Sequence, residues 1–111
     1  MTPNKKSRTV DQSQRLFERG LVCLGQEHRL PVEVTRGMAI LTSERQEAGK
    51  VAAVIVDKDS QKVTHVLLTR PRLTPDYRLV PVKLIEQVDE NTVLLDICSQ
   101  GIETLSVRQT S

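Results

Sequence analysis

Residues Lys50–Arg70 read KVAAVIVDKDSQKVTHVLLTR, and this stretch decides the fold class. Lys50–Lys58 is apolar at nearly every position and rich in β-branched residues, the pattern of a strand buried on both faces. The polar DKDSQK segment is a tight turn, and Val63–Arg70 returns antiparallel to complete a hairpin.

The same alternation of short apolar runs and polar turns extends outward. Leu30–Val34 is an extended lead-in, Gly37–Thr42 a first strand, and SERQEAG the turn that closes on Gly49. After the hairpin, Tyr77–Val82 is a short strand broken by Pro81, which donates no ladder hydrogen bond and belongs at a strand end, bulge or edge. Leu84–Val88 and Thr92–Ile97 flank an Asp-Glu-Asn turn, and the closing SQGIETLSV reads as a helical turn or a last extended piece, with the helical turn favoured. Short strands at close spacing imply an all-β barrel or sandwich. With Phe17 and Tyr77 the only aromatic residues, the core must be built from Val, Leu, Ile and Ala.

The first thirty residues differ. Residues 1–10 are polar, charged and expected to be disordered. From Asp11 to Leu24, Phe17, Leu21 and Leu24 fall at i, i+4 and i+7, one stripe of a short helix. Asp11 would cap it and Gly25 end it, although Gly20 weakens it by ~1 kcal/mol relative to Ala. The organisation expected is a basic tail with a helix over 11–24 (residues 1–30) and a β domain (residues 31–111). Residues 1–30 carry six basic and three acidic side chains, so the chain's net charge of +2 is concentrated there.

Composition excludes several function classes. A 111-residue chain with 38% apolar residues fits one domain with its own core. Two distant cysteines, Cys23 and Cys98, imply a reduced, structural role. No apolar h-region and no run near the ~20 residues of a membrane span are visible, so the expectation is a cytoplasmic protein without membrane insertion.

No phosphate-cradling loop, nucleophile elbow or paired metal-ligand spacing occurs, so no catalytic, cofactor-binding or metal residue is assigned. His65 on a strand is most simply a wall residue, and Asp57 and Asp59 satisfy turn amides. The connector TRPRLTPDYR (residues 69–78) draws more interest. Pro71 and Pro75 stiffen it, so it would display Arg70, Arg72, Tyr77 and Arg78 as a partner-binding surface. Lys83 would add to a basic rim, but one aromatic is few for single-strand nucleic-acid binding, and solvated loop charges are favoured over an RNA contact.

The order of these features resembles the PRC-barrel family, found in the photosynthetic reaction-centre H subunit and in the C-terminal part of the ribosome-maturation factor RimM. The residues that carry the resemblance are Gly49–Val51, Asp57, Val63-Thr64-His65-Val66, Arg78-Leu79-Val80-Pro81 and Val93-Leu94-Leu95, with the trailing CSQGIETLSV. It covers about residues 34–107. The chain departs from the pattern at Ser60-Gln61, where members often carry glycine, and at Val82, where an aromatic is common.

The resemblance implies a small six-stranded, mostly antiparallel barrel, non-catalytic and without cofactor, used for protein interaction or assembly. The expected function is a scaffold or adaptor that forms a homodimer, with Phe17, Leu21 and Leu24 covered by a second copy. The alternative is an RNA- or ribosome-associated factor binding through the basic tail and the Arg70–Arg78 loop. An enzyme using His65 with Asp57 or Asp59 is the third and most distant reading.

Overall fold

The computed structural model describes residues 14–24, 31–71 and 76–108. Its strands are β1 (Gln14–Phe17), β2 (Arg19–Val22), β3 (Val32–Thr35), β4 (Ala39–Leu41), β5 (Glu47–Asp57), β6 (Val63–Arg70), β7 (Asp76–Pro81), β8 (Ile85–Val88) and β9 (Thr92–Leu95). A single turn of helix, α1 (Ser99–Ile102), follows the last strand, as the closing segment led us to expect.

Six strands form a continuous path in the order β7-β6-β5-β4-β9-β8, antiparallel throughout except for the β4–β9 pair. The central hairpin is β5–β6, in which Val54 faces Val66 and Ile55 faces His65. Among the described residues no ladder joins β7 to β8, so hydrogen bonds do not close the expected barrel into a ring. The local chemistry explains this. Pro81 ends β7 without an N–H, a 3₁₀ turn at Val82–Leu84 carries the chain to β8, and the outer edge of β7 bonds to residues 106–108 instead. The sheet nevertheless wraps one core, because Val80 of β7 and Ile85 of β8 share a buried cluster with Ile40, Val54, Leu68 and Leu95.

That core is aliphatic, as composition required: among the described residues the largest fully buried side chains are all Val, Ile or Leu. Gly49 permits the tightest contact in the hairpin. A Cβ at this position would lie 2.4 Å from the carbonyl oxygen of Thr69, closer than backbone can tolerate. In the turn between β5 and β6, Gln61 adopts φ +62°, the left-handed region that favours glycine, at the point where the family pattern often carries one.

The N-terminal helix is corrected by the structure. Its described part forms two strands: β1 pairs with the C-terminal half of β5, Leu16 opposite Ile55 and Phe17 opposite Val54, and β2 pairs with β3. The length of β5 is the physical cause. β4 covers this edge only as far as Lys50, and the remaining backbone groups need another partner. Gly20 fits the same reading, because a Cβ there would meet Val54 Cγ1 at 2.7 Å and Val63 Cγ2 at 2.9 Å. The spacing of Phe17, Leu21 and Leu24 therefore mimics a helical stripe without forming one. The tail at residues 1–10, the cap at Asp11 and the stop at Gly25 lie outside the described residues.

Candidate functional site

The connector that drew attention in the sequence holds a cross-strand ion pair. Arg70 ends β6 directly opposite Asp76, which begins β7. Arg70 Nε donates to Asp76 Oδ2 at 3.0 Å and Nη2 bonds the same oxygen, while Nη1 donates to Glu103 Oε2 at 2.6 Å. Arg78 Nε reaches Asp76 Oδ1 at 3.2 Å, and Arg78 Nη1 donates to the carbonyls of Glu103 and Leu105 at 2.9 and 3.0 Å.

Two guanidinium groups and two carboxylates thus interlock across β6, β7 and the segment after α1. The arginine side chains are 9% and 14% exposed and Asp76 is 17% exposed, so water screens them little. Hydrogen bonds from Arg70, opposed by burial and reinforced by Arg78, hold the Asp76 carboxyl below the usual range. The Glu103 contact, opposed by burial and supported by Asp76, raises Arg70 above the usual guanidinium value.

Beside this network lies an open cleft of about 240 Å³, lined by Thr42, Gln46, Glu47, Arg70, Ser99 and Glu103 among others. Its far wall is the turn between β4 and β5, where Thr42 Oγ1 accepts the amides of Glu44 and Gln46. Ser99 donates through its amide and hydroxyl to Glu44 Oε1, which lowers the Glu44 pKa and ties this turn to the start of α1. Arg70 is therefore a buried base of the cleft with its charge matched from within the chain.

The residues expected to form a displayed surface are distributed differently. Arg70 and Arg78 point their charge into the network, Tyr77 is half-buried with its carbonyl accepting the Arg108 amide, and Arg72 lies outside the described residues. Of the three residues expected at a self-association face, Phe17 is 46% and Leu21 61% exposed, joined by Leu16 at 48%. Leu24 instead packs against the core of its own chain. Cys23 and Cys98 are free and exposed.

His65 contacts Thr64 Oγ1 through Nδ1 at 3.0 Å, and burial lowers its pKa. The Asp57 carboxylate is held by the amide and hydroxyl of Ser60, which lowers its pKa, and Asp59 is exposed in the same turn. His28 lies outside the described residues. Among the described residues no group of three His, Cys, Asp or Glu side chains is arranged to hold a metal ion, and no helix is long and apolar enough to cross a membrane.

Sequence reasoning passed over Asp76 and Glu103. The signal for Asp76 was present: a hairpin register that places Arg70 opposite Asp76 makes an opposite-charge cross-strand pair. Glu103 offered no comparable signal, because it lies 33 residues from Arg70 in a segment with no ladder pattern of its own.

A small all-β domain with an aliphatic core, a six-strand path and a capped central hairpin is the class this geometry defines. Residues 35–99 match the PRC-barrel domain model, and the chain belongs to that family. No curated protein matches the chain.

Proposed function

We propose that the chain is a non-catalytic interaction module, a scaffold or adaptor that pairs with a second copy of itself through the β1–β2 segment. The observation that carries this reading is the exposure of Leu16, Phe17 and Leu21 within six residues, in a chain that has only two aromatic side chains. Large apolar side chains left exposed along one short segment are surface that association would cover. β1 also has no second ladder partner among the described residues, which leaves backbone groups on its outer edge for another chain.

The alternative of RNA or ribosome association draws no support from Arg70 and Arg78, whose charges Asp76 and Glu103 already balance. The pairing is tested by substituting Phe17→Ser and Leu21→Ser together and measuring mass by light scattering. Both side chains are exposed, so the variant is expected to keep its fold and its circular dichroism while the dimer is lost. A variant that stays dimeric would place the interface elsewhere.

A further inference from the structure

The outer edge of β7 is occupied by the chain's own C-terminal segment. Leu79 N–H donates to the Ser106 carbonyl at 2.8 Å, Arg108 N–H donates to the Tyr77 carbonyl at 2.9 Å, and Arg78 forms an antiparallel bridge with Val107. Ahead of this short ladder, Glu103 places its carboxylate on Arg70 and its carbonyl on Arg78. Residues 106–108 therefore lie along the strand edge as an extended peptide ligand would, while Glu103, in the turn that leaves α1, sets one acidic side chain in a basic notch.

This strap lies beyond residues 35–99, the segment the family model covers. Its side chains are mostly exposed. Val107 and the Glu103 side chain are each 55% exposed, Thr104 and Ser106 are exposed, and Leu105 alone packs partly on the core. Arg70, by contrast, is 9% exposed, and a guanidinium at that depth that gives up a carboxylate needs another in its place. Arg70 and Glu103 both line the open cleft, so an incoming acidic group reaches the guanidinium without first unfolding the sheet.

We propose that the β7 edge, with Arg70 and Arg78, is a strand-addition site for a partner-protein segment that carries an acidic side chain one turn ahead of a short extended stretch, and that residues 103–108 occupy it in the resting chain. The exchange is a replacement: the partner's Glu or Asp takes the Glu103 position on Arg70, and its carbonyls take the Arg78 donors. The main-chain ladder supplies affinity and the carboxylate supplies selection. The site uses none of the β1–β2 residues, so a chain found to be monomeric leaves it standing.

The test uses the 111-residue chain and a synthetic peptide of its own strap, residues 101–108, GIETLSVR. In the free chain the Leu79 and Arg108 amides are expected to exchange with solvent at least ~100-fold faster than those of β5 and β6, reporting local opening of the strap. Added peptide is expected to shift the resonances of Tyr77, Arg78 and Leu79, and a peptide carrying Ala in place of the glutamate to bind at least ~10-fold more weakly. Strap amides that exchange as slowly as β5 and β6, resonances that stay unmoved, or equal binding of both peptides would each overturn the proposal.

Discussion

Asp76 is the residue on which the arginine network turns, because its nearly buried carboxylate contacts both guanidinium groups, Arg70 from the facing strand and Arg78 from its own, whereas Glu103, which also reaches both, is 55% exposed. Removing one partner of a nearly buried ion pair leaves charge without compensation, whereas exposed pairs such as Arg36–Glu18 contribute little. Asp76→Asn is therefore expected to lower stability by about 3 kcal/mol in urea unfolding, and a loss under 1 kcal/mol would show that Glu103 suffices. Because the folded pKa of Asp76 is depressed, its contribution is present above the unfolded value near 3.9 and is lost as pH falls through the lower folded value. His65 acts in a different window. Burial lowers its folded pKa below the ordinary 6.5, so on acidification the unfolded chain takes up a proton first. Stability is expected to decline as pH falls below 6.5, and His65→Gln to flatten that part of the profile. Parallel profiles for the two proteins would contradict this assignment.

Among the elements, the β5–β6 hairpin was legible because β-branched density, turn chemistry and length agree at every level. The short β8 and β9 were legible within a residue or two for the same reason. β1 and β2 were not. Leu16, Phe17, Leu21 and Leu24 satisfy a helical spacing as well as a strand, and what decides between them is the uncovered half of β5, a non-local demand that no local window contains. Gly20 is the local trace of that demand. Gly20→Val is expected to destabilise the chain by about 1–3 kcal/mol, the range for overpacking, because its side chain would collide with Val54 and Val63. A helical segment at this position would accept the same change with little effect, so an unchanged thermal midpoint would argue against strand β2. The arginine cluster was half legible. Arg70, Arg72, Tyr77 and Arg78 were singled out as a displayed group, yet two of them turn inward, because hairpin register supplies one carboxylate and the distant Glu103 supplies the other.

Two segments of the chain flank the residues that match the family model. The N-terminal one completes the edge of β5 and the C-terminal one completes the edge of β7. Both manage exposed strand edges, the recurrent hazard of small sheets, and both present chemistry outward as they do so. The N-terminal segment presents Leu16, Phe17 and Leu21, and the C-terminal segment presents a replaceable carboxylate on Arg70. The exposed apolar side chains of the N-terminal segment are the surface a second copy would cover. Sedimentation equilibrium of the unmodified 111-residue chain reads this association over roughly 1–100 micromolar, the range in which micromolar affinities are measured. The expected result is a weight-average mass that rises toward twice the 12.5 kDa of one chain. A mass that stays at 12.5 kDa across the whole range would contradict it.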